Sequence, residues 1–201
     1  MVEIDKHKVY QSHEYRFKNF IMMSDDEKRM VLKWRNADSV RRRMYSANQA
    51  TEEEHFNFIK TLENREDRLY WIVYREDLPI GVLVLALKDY KNKIYEDGIY
   101  MNPELYGEGF GLFKEINYFI FYLLGIEKIC GSVQADNKDA ILINVFLGGS
   151  YSNKEIIPQD GVDVEYYVCP LYTKADFAPH KDATLLEYAR FVKKNKNSVL
   201  F

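Results

Sequence analysis

The sequence lacks several features that would place it in a specialised class of protein. It has only two cysteines among 201 residues, Cys130 and Cys169, and neither has a second cysteine or a histidine at metal-ligand spacing. Both lie in apolar runs, so we predict buried free thiols and no metal site. An apolar stretch of 18 residues and a signal-peptide layout are also missing, so we predict no membrane partner and a cytoplasmic location.

An excess of positive charge is absent as well. Lysine and arginine together number 28 and aspartate and glutamate 31, which gives a formal net charge of −3. This balance does not favour nucleic acid as a partner, because such binding depends on neutralising phosphates. The one dense basic cluster, Arg41 to Arg43, is typical of a solvated face.

Aromatic residues are abundant, at 15% of the chain, and hydrophobic residues reach 47%. Such a composition is that of a folded globular protein, and the length suits one medium domain. The rings could build a bulky core or stack on a flat ligand. We predict a single domain over residues 1–172 and a C-terminal extension over 173–201 that carries a helix packed on it.

Local patterns predict an α+β chain with a mixed sheet. Ser24 to Glu27 and Thr51 to Glu54 are capping boxes, each followed by an amphipathic helix. A strand, a crossover helix and a strand follow one another around the glycine-rich segment and after it, which implies a parallel pairing. Predicted strands cover residues 15–23, 69–74, 80–87, 94–101, 128–134, 151–156 and 164–171, with a hairpin turn at 77–79; further helices cover 112–124, 137–147 and 183–196.

Three alternate glycines, Gly107, Gly109 and Gly111, stand between a predicted strand and a predicted helix. Glycine permits a close approach of the backbone to a ligand, and a helix start offers unpaired N–H groups and a positive dipole end. Together these features suit a phosphate or pyrophosphate. A glycine-rich turn that only joins two elements is the alternative.

The chain resembles the Gcn5-related N-acetyltransferases (GNAT). The resemblance rests on Tyr106 to Gly111 after the segment Tyr100 to Pro103, and on Val133 to Asn137, Ala140-Ile141 and Leu147-Gly148. It implies a mixed, mostly antiparallel central sheet with a splayed parallel strand pair and flanking helices. It also implies acetyl-CoA as co-substrate, without a metal, bound by Tyr100, Met101, Tyr106, Gly107, Glu108, Gly109, Phe110, Gly111, Leu112 and Asn137.

Two positions depart from the family pattern. Tyr106 replaces the arginine or glutamine that opens the family's phosphate loop, so one side-chain contact is missing while the backbone N–H groups remain. Asn144 stands where many members have the tyrosine that protonates the departing thiolate, and an amide is not an acid. These departures keep open a non-catalytic acyl-CoA-binding module.

A narrower resemblance concerns the acceptor. Trp34 to Asn36, Val40, Met44 to Ser46 and Glu54-His55 resemble sugar-nucleotide N-acetyltransferases of the pseudaminic acid pathway. The resemblance implies direct transfer to the 4-amino group of a UDP-linked amino sugar, held by Arg35, Asn36, Met44 and Tyr45. Ribosomal-protein acetyltransferases share parts of the pattern, so a protein N-terminus or another small amine stays an alternative, and a homodimer is left open.

Transfer to an amine requires a base, since an alkyl amine has a pKa near about 10.4. His55 lies on the inward stripe of its predicted helix and has a suitable ordinary pKa of about 6.5. It could equally be a core histidine bonded to a backbone carbonyl. Glu96 and Asp97 are alternatives that would act through a water chain, or they form a solvated pair.

Overall fold

The computed structural model describes residues 4–46, 48–159 and 161–197. By their contacts the described residues form two compact units, each with its own interior. The first comprises Met1–Lys88 and Glu96–Tyr106, and the second comprises Asp89–Tyr95 and Gly107–Phe201, in each case without the undescribed positions.

The first unit is built on antiparallel strands with helices packed against them. The strand order is β1-β2-β3-β4-β5, and the pairs β1–β2, β2–β3 and β3–β4 are antiparallel. The tip of the β4–β5 hairpin belongs to the second unit. The elements are β1 (Tyr10–Ser12), β2 (Tyr15–Asn19), α1 (Asp25–Asn36), α2 (Asp38–Arg41), α3 (Glu52–Thr61), β3 (Arg68–Arg75), β4 (Leu78–Asp89) and β5 (Ile94–Met101), with 3-10 turns at Phe20–Met22 and Leu62–Asn64.

The helices of the first unit begin as the sequence predicts. The Ser24 hydroxyl accepts from the Glu27 N–H at 3.2 Å, and the Ser24 N–H donates to the Glu27 carboxylate at 2.6 Å. Thr51 and Glu54 make the same reciprocal pair at the start of α3. These bonds satisfy backbone donors that a helix start leaves unpaired, which fixes where α1 and α3 begin.

A shared core holds α1 and α3 on the sheet of the first unit. Val31 and Trp34 from α1 and Ile59 from α3 pack with Ile72 and Val82 from the strands, and all are nearly inaccessible to water. Burying a side chain of this size stabilises the fold by about 1.5–3 kcal/mol. The core therefore fixes the C-terminal end of α1, where candidate acceptor residues stand.

The second unit combines a three-stranded antiparallel sheet with helices. The strand order is β6-β8-β7. The elements are α4 (Gly109–Tyr118), which continues as a π-helical turn (Phe119–Leu123), β6 (Lys128–Gln134), α5 (Lys138–Phe146), β7 (Asn153–Gln159), β8 (Val162–Thr173), α6 (Lys174–Phe177), a 3-10 turn (Ala178–His180) and α7 (Leu185–Asn195).

Several boundaries differ from the predictions. The segment 15–23 is not one strand, because β2 ends at Asn19, whose side chain accepts from the Ile21 N–H and caps a 3-10 turn. The β3–β4 turn lies at Glu76, which has a φ of 53°, and Pro79 lies inside β4 opposite Tyr74 at a register shift. Strand β1, the short helix α2 and the short helix α6 were not predicted.

The start of α4 is also corrected. The helix begins at Gly109 and not at Leu112, so two of the three glycines lie in its first turn. Gly125, with a φ of 66°, ends the helical segment as predicted. The fold class is confirmed: the chain is α+β, with a mixed, mostly antiparallel sheet that contains one parallel pair and is flanked by helices.

Candidate active site

The turn after β5 is organised by Asn102, which is buried. Its N–H donates to the Ile80 carbonyl at 2.9 Å, and its side-chain oxygen accepts from the Glu104 N–H at 3.0 Å. Its amide nitrogen donates to the Pro79 carbonyl at 3.3 Å. Asn102 thus fixes the direction in which the chain leaves β5. The sequence reasoning missed it, although an Asn-Pro pair is a known turn signal.

The glycine loop has one position in the left-handed region, Gly107, with a φ of 83°. A Cβ built there would have no neighbour within 4 Å among the described residues, so the space beside this backbone is open. Glu108 is the N-cap of α4, and within the described chain no side-chain hydrogen bond caps this helix. The first turn has no acidic residue either.

These features fit a phosphate group. The first N–H groups of a helix have no intrahelical partner, and the helix dipole makes their end positive. Gly109 and Gly111 lie in that first turn and expose backbone without a side chain. The side chain of Tyr106 is 92% exposed, so it contributes no charge and little packing to the site. An anion at the start of α4 would be held by backbone groups.

Asn137 and Asn144 have local roles in and around α5. Asn137 is the N-cap, and its side chain accepts from the Ala140 N–H at 3.5 Å. Asn144 is half-buried, and its backbone carbonyl accepts from the Gly149 N–H at 2.8 Å. A Cβ at Gly149 would meet that carbonyl at 3.0 Å. The structure therefore gives Asn144 a backbone role at the end of α5, and its amide supplies no acid.

At the end of α1, two predicted acceptor residues hold the loop that leads to α3. Asn36 and Ala50 bond reciprocally: the Asn36 amide donates to the Ala50 carbonyl at 2.8 Å and accepts from the Ala50 N–H at 3.0 Å. Arg35 donates to the Asn48 carbonyl at 2.8 Å. Met44, on the same loop, is half-buried. The polar atoms of Asn36 are thus engaged with the loop backbone.

Tyr45, next to Met44 on that loop, contacts Glu96 of β5. Its hydroxyl donates to one carboxylate oxygen of Glu96 at 3.1 Å, and Lys88 meets the other oxygen at 2.8 Å. Half of the Tyr45 side chain is exposed. Both oxygens of Glu96 are therefore occupied, which orients this carboxylate and weakens its case as a base.

Asp97, the neighbour of Glu96 on β5, is half-buried. Burial, together with the nearby charge of Glu96, raises the pKa of Asp97 to about 7. A carboxylate with such a pKa can take a proton from an amine near neutral pH and release it again. Its raised pKa makes Asp97 a candidate base alongside Glu96.

His55 lies in the interior between α3 and α1, with 6% of its surface exposed. Burial lowers its pKa, a hydrogen bond with the Lys28 backbone opposes this, and the charges of Arg35 and Lys28 lower it further. Its Nε2 is buried and has no hydrogen-bond partner among the described residues. The ring is therefore neutral at neutral pH, and the prediction that it points inward is confirmed.

Tyr100 and Met101, at the end of β5, are both half-buried. Burial raises the pKa of Tyr100, the neighbouring Tyr70 raises it further, and Arg35 opposes the change. Its hydroxyl thus stays protonated and can donate a hydrogen bond. Among the described residues there is no group of three acidic, histidine or cysteine side chains that could hold a metal ion. Nor is any described helix long and apolar enough to cross a membrane.

Comparisons with known proteins are consistent with these features. No protein-family profile matches the sequence. The acetyltransferase PseH of Campylobacter jejuni serotype O:2 is 29% identical over 154 residues, which cover 77% of this chain and 92% of that protein. PseH of serotype O:23/36 is 30% identical over 126 residues, which cover 63% of this chain and 78% of that protein.

Solved structures share the fold. The crystal structure of C. jejuni N-acetyltransferase PseH in complex with acetyl coenzyme A has a TM-score of 0.59 at 23% identity, covering 78% of this chain and 98% of that one. A GNAT-family acetyltransferase from Bacillus anthracis has a TM-score of 0.66 at 15% identity, covering 84% and 99%. The fold and the glycine loop thus define a protein of the GNAT class. Within it, the chain belongs to the PseH acetyltransferase family.

Proposed function

We propose that this acetyltransferase transfers the acetyl group of acetyl-CoA directly to the 4-amino group of a UDP-linked amino sugar. The observation that carries the proposal is the match to PseH together with the open, uncapped start of α4. We further propose that it acts in the cytoplasm. The acetyltransferase domain would be residues 1–172, with 173–201 as an extension, and the assembly is left open between a monomer and a homodimer.

On the donor side, we assign the pyrophosphate of CoA to the backbone N–H groups from Gly107 to Gly111. The Leu112 N–H closes the first turn by donating to the Glu108 carbonyl at 3.0 Å, so Leu112 lies at the edge of the proposed site. Gly107 allows the turn, and the uncapped first turn of α4 supplies the donors and the positive dipole end. We also propose Tyr100, Met101 and Asn137 as CoA-binding residues, as the resemblance to GNAT proteins implies. A backbone N–H near Tyr100 or Met101 would stabilise the oxyanion that forms as the amine attacks.

We propose Asp97 as the base that removes the amine proton because of its raised pKa, with His55 as the second candidate. Glu96, held by Tyr45 and Lys88, raises the pKa of Asp97 through its charge. Arg35, Asn36, Met44 and Tyr45 belong to the proposed acceptor region, with Asn36 acting through the loop that it holds. A thiolate leaving group needs little protonation, because a thiol has a pKa of only about 8–9, so Asn144 is compatible with turnover.

The direct test is an assay of thiol release from acetyl-CoA with a panel of amines. The proposal predicts turnover with a UDP-4-amino sugar and much weaker turnover with peptides and simple alkyl amines. Robust turnover of peptides alone would instead assign a protein acceptor. Binding of CoA without turnover of any amine would leave an acyl-CoA-binding module.

A further inference from the structure

An aromatic cluster joins the C-terminal helix α7 to the first turn of α4. The ring of Tyr188 stacks on that of Phe110, with centroids 4.9 Å apart and planes 7° apart. Phe146 of α5 contacts both rings, at 5.8 Å from Phe110 and 5.4 Å from Tyr188. Phe110 is 6% exposed, so this face of the first turn of α4 is covered.

A second contact ties the same two segments together. Lys114, one turn further along α4, donates to the Ala183 carbonyl at 3.2 Å, just before α7 begins. Thr184 and Glu187 then form a capping box that fixes the first turn of α7. A lysine at this position could otherwise contact a phosphate, but Lys114 is bonded to the segment before α7.

The segment before α7 is also docked closely. Gly148, just after α5, has a φ of 98°, and a Cβ there would clash with the Asp176 carbonyl. The Tyr172 hydroxyl donates to the Leu147 carbonyl at 2.6 Å. The chain from residue 172 to α7 therefore follows a fixed path over α5 before it reaches α4.

We propose that Tyr188 is a positioning residue for CoA: by stacking on Phe110 it holds the first turn of α4 in the orientation that presents its N–H groups to the pyrophosphate. The inference rests on the proposed function, because it assigns the anion to that turn. Phe110 follows the N-cap, Glu108, by two residues, so a shift of its ring moves the backbone N–H groups of the first turn. A flat stack with near-parallel planes resists such a shift better than a flexible aliphatic contact does.

The inference is tested by calorimetric titration of the full-length protein with CoA. Tyr188→Ala is expected to weaken CoA binding by about five- to tenfold, the range expected for losing one aromatic stack. The Michaelis constant for acetyl-CoA should rise by a similar factor, while the turnover number and the Michaelis constant for the acceptor stay unchanged. Tyr188→Phe keeps the ring and should restore wild-type affinity.

Two controls separate positioning from general stability. Phe191→Ala removes an α7 ring that contacts Phe146 at 5.3 Å, and it should lower the unfolding temperature with CoA affinity changed less than about twofold. Leu186→Ala alters a side chain that is 61% exposed on the same helix and should change neither quantity. If Tyr188→Ala does not fold, Tyr188→Leu, which keeps the bulk and loses the stack, takes its place.

The inference would be overturned if a folded Tyr188→Ala or Tyr188→Leu protein bound CoA with wild-type affinity. It would also be overturned if Tyr188→Ala and Phe191→Ala lost CoA affinity to the same extent. A failure of Tyr188→Phe to restore binding would assign the effect to the hydroxyl and also overturn it. If the wild-type protein itself binds no CoA, the proposed function fails, and that result is distinguishable from all of these.

Discussion

The two units differ in the kind of polar group, backbone or side chain, that could bind a ligand. In the second unit, the groups that suit an anion are backbone N–H groups at the start of α4, without a side-chain cap in the described chain. In the first unit, the polar side chains chosen for the acceptor already bond to the protein, as Asn36 does to Ala50. The proposed donor site thus consists of backbone groups, whereas the proposed acceptor region depends on side chains that also hold a loop.

The largest effect is expected where the donor site is blocked. Gly107→Val places a β-branched side chain at a φ of 83°, in the open space assigned to the pyrophosphate. We expect CoA binding to fall by about a hundredfold or more, because the N–H groups become inaccessible. Calorimetric titration with CoA measures this change.

Gly161 offers a matched control for that substitution. It has a φ of 82° and, like Gly107, no neighbour within 4 Å of a Cβ among the described residues, but it lies between β7 and β8. Gly161→Val should therefore cause similar backbone strain and leave CoA affinity unchanged. Equal losses of affinity in the two variants would show that strain, and not a blocked site, is responsible.

Among the candidate bases the largest effect is expected at Asp97. Asp97→Asn should lower turnover by about a hundredfold, within the range of general base catalysis, with CoA affinity unchanged. Since the pKa of Asp97 is raised to about 7, wild-type kcat/KM should rise as the pH passes through 7 and the carboxylate forms. This rise of kcat/KM around pH 7, the ascending limb of the pH profile, should be absent in Asp97→Asn.

The role of Glu96 is tested by the same dependence of kcat/KM on pH. Its charge raises the pKa of Asp97, so Glu96→Gln should move the midpoint of the limb to lower pH. A midpoint that stays in place would show that burial alone sets the pKa of Asp97. A limb that survives in Asp97→Asn would remove Asp97 as the base.

A smaller change in turnover is expected at His55. His55→Ala should lower the free energy of unfolding by about 1–3 kcal/mol, because the ring is buried and bonded to the Lys28 backbone. Turnover should fall by less than about tenfold, with CoA affinity unchanged. A loss as large as that of Asp97→Asn would make His55 the base, and unchanged turnover would make it a core residue only.

The smallest effect is expected at the acceptor loop. Asn36→Ala removes both bonds to Ala50 and should raise the Michaelis constant for the acceptor severalfold, with a loss of about 1–3 kcal/mol in the free energy of unfolding. Asn64→Ala, at an exposed position in a 3-10 turn, serves as the control. An unchanged Michaelis constant in Asn36→Ala would separate this loop from the acceptor.

The sequence was informative where local rules decide the structure. Capping boxes at Ser24 and Thr51 predicted two helix starts correctly, since the bonds involved span only three residues. The glycine pattern predicts an anion site, which stays a prediction, and α4 starts three residues earlier than its apolar run suggests. These are properties of the backbone, and short motifs specify them.

The remaining features depend on distant contacts. The hydrogen bond from Tyr45 to Glu96 joins residues 51 positions apart in the chain, and the burial that raises the pKa of Asp97 also depends on the folded protein. The stacking of Tyr188 on Phe110 spans 78 positions and has no local signature. Periodicity and spacing do not reveal such pairs before the fold brings them together.

The central claim is most directly tested by product analysis with isotope-labelled acetyl-CoA and a UDP-4-amino sugar. The account predicts that the label appears on the sugar nitrogen in the presence of the wild-type protein and is nearly absent with Gly107→Val. An unmodified sugar nucleotide, under conditions where the wild-type protein binds CoA, would contradict it.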